Sequence, residues 1–311
     1  MNGECAENEG ATVGVEWNIP ESIQMLLLKD RTTRKNIKWG TDNYMSVSPL
    51  YSPESEINES DLKSVSILPR VKKSAEEQLS RTRDKAEVFT PSWICAIQNN
   101  QVDEAWFGWP DSFCIIDGAG WKTVPEKVSF PEGKKWTDYV EDIRLEITCG
   151  EAPYLTSRYD TVTGDIIPVE NRIGLLDRKL RVVSENCDGE DEWCFWARRA
   201  VESVYGYDFQ GDNVFLARKN ILLDYCEYMY SVFGHYPDKK TLQGLATVIS
   251  WNIWQMDGLN NSVPFSSVPI VQREEDLFGF VEENIIESPP IQCRIYDWKA
   301  NRSVEFRSMI R

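Results

Sequence analysis

Along the chain, helix-spaced apolar stretches alternate with short apolar runs that end abruptly in small or acidic residues. The first stretch, 21–30 after Pro20, predicts a short helix, and the Ser-, Asn-, Pro- and Glu-rich segment 46–61 reads as loop. Residues 1–70 therefore read as an N-terminal extension and 71–311 as the main domain. Ser74 with Glu77 three residues later is a capping-box signature for a helix running to about Glu87. Another helix is expected from Pro91 or Ser92, because proline is tolerated in a first helical turn. That leaves Phe89, Thr90 and Pro91 on the connecting loop.

The run 143–147 predicts a strand that enters the turn Thr148-Cys149-Gly150-Glu151-Ala152-Pro153, with a helix expected beyond it. Helical spacing over 192–204 leads into a strand candidate at 203–207 that ends at Asp208. Segments 213–223 and 242–249 read as helices, 251–256 reads as extended, and Asp257-Gly258 closes it with a turn. Inside the interval before Tyr205 lies the run RIGLLDRKLRVV at 172–183, to which no element is assigned. Strands alternating with helices argue for an α/β fold with a parallel sheet covered on both faces.

Composition narrows the function. A chain of 311 residues with 41% hydrophobic content buries a proper core. It has no apolar run of membrane-spanning length and no basic-then-apolar N-terminus, so a cytoplasmic, non-membrane protein is expected. Eight cysteines without a Cys-x-x-Cys pair predict reduced thiols and no zinc knuckle. The lone His235 reads as a surface residue, which removes most histidine-based catalysis and metal binding. A net charge of −16 disfavours a chain that grips duplex DNA unaided, since phosphate neutralisation supplies most of that affinity. The lysines and arginines of 29–38 and 72–85 read as solvated surface.

In an open parallel sheet, ligands bind at the carboxyl ends of strands, so the turns after the three strand candidates should converge on one crevice. There Gly150 and Ala152 allow close backbone approach, Asp208 suits a ribose diol, and Asp257 suits an exocyclic amine.

Lys85-Ala86-Glu87-Val88-Phe89-Thr90-Pro91 resembles the Phe-Thr-Pro motif ahead of the cofactor domain in adenine-N6 DNA methyltransferases of restriction-modification systems. Glu146-Ile147-Thr148-Cys149-Gly150-Glu151-Ala152-Pro153-Tyr154 is similar to their first motif. Tyr205-Gly206-Tyr207-Asp208, with Ala217-Arg218-Lys219-Asn220-Ile221 after it, resembles the second, and 252–259 the third. The ordered series spans about 72–260. It implies a Rossmann-like, S-adenosylmethionine-dependent methyltransferase sheet, present in part. It also implies cofactor contacts from Phe89, Thr90, Pro91, Glu146, Thr148, Gly150, Asp208 and Asp257, with ribose on Asp208, adenine near Asp257 and the methionine end near Thr90 and Gly150.

The departures matter as much. Ala152 stands for the second glycine of the first motif and Ile147 for its proline. The catalytic Asn/Asp-Pro-Pro-Tyr/Phe, which holds an extruded adenine, does not occur; Pro289-Pro290 is flanked by Ser288 and Ile291. The resemblance thus implies a cofactor-binding subunit without catalytic or metal-binding residues. DNA would be reached through a protein partner, a methyltransferase or specificity subunit, or through a homo-oligomer. Such a half would leave strand 143–147 at a sheet edge, to be covered by 291–298 or by a partner. The alternative is an inactive methyltransferase-like protein in a regulatory, scaffolding or anti-defence, DNA-mimic role. A metal-dependent nuclease written on Asp111, Glu132 and Lys134 fails because its second element is turn chemistry where a strand is needed.

Overall fold

The computed structural model describes residues 19–85, 87, 90–275 and 281–309. Helices α1 (Glu21–Leu27), α2 (Glu59–Ser64), α3 (Ala75–Lys85) and α4 (Ser92–Phe107) precede the β1–β2 hairpin (Cys114–Asp117 and Gly120–Thr123). Then come α5 (Trp136–Val140), β3 (Arg144–Ile147), α6 (Leu175–Asn186), α7 (Glu190–Glu202), β4 (Val204–Asp208), α8 (Gly211–Phe233), α9 (Lys239–Asn252) and β5 (Ile253–Gln255). Two further hairpins follow: β6 (Pro269–Glu275) with β7 (Val281–Glu287), and β8 (Arg294–Asp297) with β9 (Arg302–Glu305).

The fold is mixed α/β around a parallel sheet of order β3-β4-β5, with Glu146 opposite Gly206 and Asp208 opposite Gln255. The three strand ends therefore lie side by side. The capping box forms as read: the Ser74 N–H donates to Glu77 Oε2 at 3.0 Å, and the Glu77 N–H donates back to Ser74 Oγ at 3.3 Å. The chain beyond Pro153 differs from the sequence reading, for it runs irregularly to a 3-10 turn at Val169–Asn171 instead of entering a helix. Helix α6 forms in the interval that carried no assignment.

Helix α8 is buried along most of its length and forms the centre of the core. Its start is fixed by contact with the N-terminal segment: a Cβ on Gly211 would lie 1.8 Å from the Lys38 carbonyl oxygen, so only glycine fits there. Ile23, Leu27, Ile37, Trp39 and Ile57 belong to the same core cluster as α8 and α9, so segment 19–57 is part of the main hydrophobic interior. Lys73 and Arg81, read as solvated, are instead buried and paired with Asp212 at 3.1 and 2.8 Å. An isolated buried charge is too costly to leave unpaired, and this pairing compensates for burial.

β3 is an open edge. Residues Arg294–Asp297, read as one possible cover for it, pair with β9. Together with Phe306, which opens the 3-10 turn Phe306–Met309, the β8–β9 hairpin packs on Tyr205, Tyr207 and Trp254 of β4 and β5. That cover stops one strand short: Ile143, Leu145 and Ile147 are 56%, 46% and 63% exposed. Among the described residues no helix is long and apolar enough to cross a membrane.

Candidate functional site

Beyond the carboxyl ends of β3 and β4 lies a cavity of about 520 Å³. Thr90, Glu146, Thr148, Gly150 and Asp208, five of the eight residues singled out from sequence, line it. Pro91 stands just outside as the residue that caps α4, and Phe89 lies outside the described residues. Asp257 does not line the cavity. Its carboxylate accepts from the N–H of Leu259 at 2.9 Å and the side-chain amide of Asn260 at 2.8 Å, closing the turn after β5.

The loop after β3 is shaped for close approach. Thr148, Gly150 and Ala152 all have positive φ, 48°, 51° and 64°. For threonine, branched at Cβ, this left-handed backbone is strained and persists only when neighbours enforce it. Several contacts do so. The Cys149 N–H donates to the Tyr207 carbonyl at 2.8 Å, the Gly150 N–H donates to Asp208 Oδ2 at 2.9 Å, and the Asn220 side-chain amide donates to the Glu151 carbonyl at 3.0 Å. Gly206 lets the loop settle on β4, since a Cβ there would come within 3.2 Å of the Cys149 sulfur.

Four carboxylates line the cavity, and no lysine or arginine does among the described residues. Glu87 is paired with Arg81, and Glu151 accepts from the Arg70 N–H at 2.6 Å and from the Tyr159 hydroxyl. Among the described residues Glu146 and Asp208 have no ion partner. Glu146 accepts from the N–H groups of Tyr154 and Leu155 at 3.4 and 3.2 Å, and Asp208 from those of Gly150 and Gln210 at 2.9 and 2.8 Å. Burial pushes Glu146 up to about 8 against the pull of its two backbone bonds, with the Asp208 charge adding to the rise. Asp208 is raised to about 6, again chiefly by burial, with Glu87 and Asp212 adding to it. Burial opposes ionisation of Asp212 as well, but Lys73 and Arg81 hold that carboxyl down to about 2.

Tyr154, Thr161, Phe209, Gln210 and Asn213 complete much of the wall and were not singled out as site residues from sequence. Phe209 was legible in principle, because it directly follows the strand-terminal aspartate. Its ring meets that of Phe265 edge-on at 5.5 Å between centroids. Thr161 reaches the site from a distant loop, where its hydroxyl donates to the Thr90 carbonyl at 2.8 Å, and nothing local in the sequence marks it. Gln210 is buried, and among the described residues its Oε1 has no hydrogen-bond partner. Among the described residues no group of acidic, histidine or cysteine side chains is arranged to hold a metal ion. His235 lies at the surface as expected, 3.2 Å from Glu190.

Compared with known proteins, the chain matches no family model, no curated protein and no solved structure.

Proposed function

We propose that this cavity binds S-adenosylmethionine and that the chain is the cofactor-binding subunit of a restriction-modification DNA adenine methyltransferase. The observation that carries the reading is the cavity wall. Four carboxylates without a lining cation disfavour phosphate-bearing nucleotides and favour a ligand with positive charge and hydroxyl donors. S-adenosylmethionine carries a sulfonium and an ammonium against a single carboxylate, so its net charge is positive, it has a ribose diol, and the cavity volume lies within the range of small-molecule sites.

In this reading Asp208 takes the ribose hydroxyls, Glu146 and Thr90 face the charged methionine end, and Phe209 offers an aromatic wall to the base. The carboxylate of Asp257, already engaged in its own turn, is left without the adenine-reading role that the resemblance implies. The same reading takes the parallel sheet β3-β4-β5 as one side of a Rossmann-like methyltransferase sheet. The bare edge of β3, with its exposed Ile143, Leu145 and Ile147, supports completion by a strand of a partner polypeptide. No Asn/Asp-Pro-Pro-Tyr/Phe occurs among the 311 residues, so the partner supplies the groups that hold the target adenine.

Calorimetry on the purified chain tests the binding claim. S-adenosylmethionine should bind at protein concentrations near 100 μM, roughly the range in which −5 to −6 kcal/mol still registers, while ATP and NAD give no heat. Absence of heat with the cofactor and with its demethylated product refutes the reading. A methylation assay on plasmid DNA addresses the partner: the chain alone should transfer no methyl group, and robust adenine methylation would refute the subunit assignment.

A further inference from the structure

Glu146 and Asp208 are both buried and both face the cavity, and among the described residues neither has an ion partner. The groups around them offer little relief. Cys149 and Tyr154 approach Glu146 from its own loop, and Cys95 from α4; burial raises all three and keeps them neutral. Glu87 and Asp212 add negative charge near Asp208, and the cations behind them, Arg81 and Lys73, are already paired with those two carboxylates. Arg218 of α8 is engaged with four backbone carbonyls, those of Leu27, Lys29, Ser250 and Ile253. A buried carboxylate without a counter-ion takes up a proton instead of remaining charged. Gln210, 7% exposed, belongs to the same wall, and its buried Oε1 has no hydrogen-bond partner among the described residues.

We propose that the cavity exchanges a proton for its ligand's positive charge: Glu146 is neutral in the empty site and gives up its proton when a cationic ligand binds. The inference rests on the binding reading above and adds the selection rule for the site. The balance is simple. The carboxylic acid O–H of Glu146 breaks, its proton passes to the buffer, and the carboxylate pairs with the ligand cation. Charged sulfonium and ammonium ligands are therefore preferred over neutral nucleosides of the same shape. Affinity must also rise with pH wherever the free site is protonated and the complex is not. With Glu146 raised to about 8, that range includes pH 6 to 7, where the ligand's own ammonium stays charged.

The test is calorimetry of the whole chain with S-adenosylmethionine in buffers of different ionisation heat, at pH 6 and pH 7. The expected result is release of about one proton per ligand bound and affinity roughly tenfold higher at pH 7 than at pH 6. Uncharged 5′-methylthioadenosine should bind at least about tenfold more weakly and release no proton. Glu146→Gln should abolish the proton release at pH 7, where Asp208, raised only to about 6, is already ionised. Cofactor binding without proton release, equal at both pH values, overturns the exchange while leaving the binding reading intact. No binding by the wild-type chain at either pH overturns the binding reading, and the exchange with it.

Discussion

Arg218→Met is expected to destabilise the protein by about 3–5 kcal/mol, because it orphans several buried carbonyls at once. The guanidinium donates to the Ile253 carbonyl at 2.7 Å, Leu27 at 2.5 Å, Lys29 at 3.0 Å and Ser250 at 3.2 Å. Leu27 and Ser250 lie in the last turns of α1 and α9, where carbonyls have no partner within the helix. Methionine fills a similar volume and removes the cost of burying a cation, but it donates nothing. The lost bonds should outweigh the relief, since each buried acceptor left unsatisfied costs about 1–3 kcal/mol. Thermal denaturation should show a midpoint lower by roughly 10 °C. An unchanged midpoint would mean that these carbonyls find water or new donors, and that Arg218 does not tie the N-terminal segment to the sheet.

Asp208→Ala is expected to cost about 1.5–3 kcal/mol of cofactor affinity, the range for hydrogen bonds to a charged acceptor, which is a loss of tenfold or more. The fold should survive. Asp208 is buried and its carboxyl is raised to about 6 by that burial, so removing it relieves a charge cost even as the N–H groups of Gly150 and Gln210 lose their acceptor. Calorimetry beside a denaturation curve separates the two effects. Unchanged affinity in a folded variant would detach the ribose from this residue.

The strands of the site were legible because each is a short apolar run stopped by a small or acidic residue, and β3, β4 and β5 lie within one to two residues of their expected ends. Helices were harder wherever buried charge interrupts the apolar period. α8 continues ten residues past Leu223 because Asp224 and Glu227, which look like surface residues, pair with Arg172 at 2.6 and 2.5 Å. In α6, Arg178 is buried against Asp103 at 2.6 Å, and Lys179 donates to the Val140 carbonyl at 3.0 Å. Those partners are distant in sequence, so no local pattern reveals that the charges face inward. The same limit applies to the cavity. The residues at the strand ends could be read from their spacing, but Thr161 and Asn213 enter through tertiary contact. The engagement of Asp257 in its own turn depends on Asn260 three residues later, a local signal that strand-end reasoning passed over.

The central claim is that a cationic, ribose-bearing cofactor occupies the cavity beyond β3 and β4, and a crystal structure of the chain grown with saturating S-adenosylmethionine tests it most directly. The prediction is ligand density between Gly150 and Asp208, with the ribose hydroxyls within about 3 Å of the Asp208 carboxylate and the methionine end toward Glu146 and Thr90. An empty cavity at saturating ligand, or ligand bound elsewhere on the chain, would contradict it.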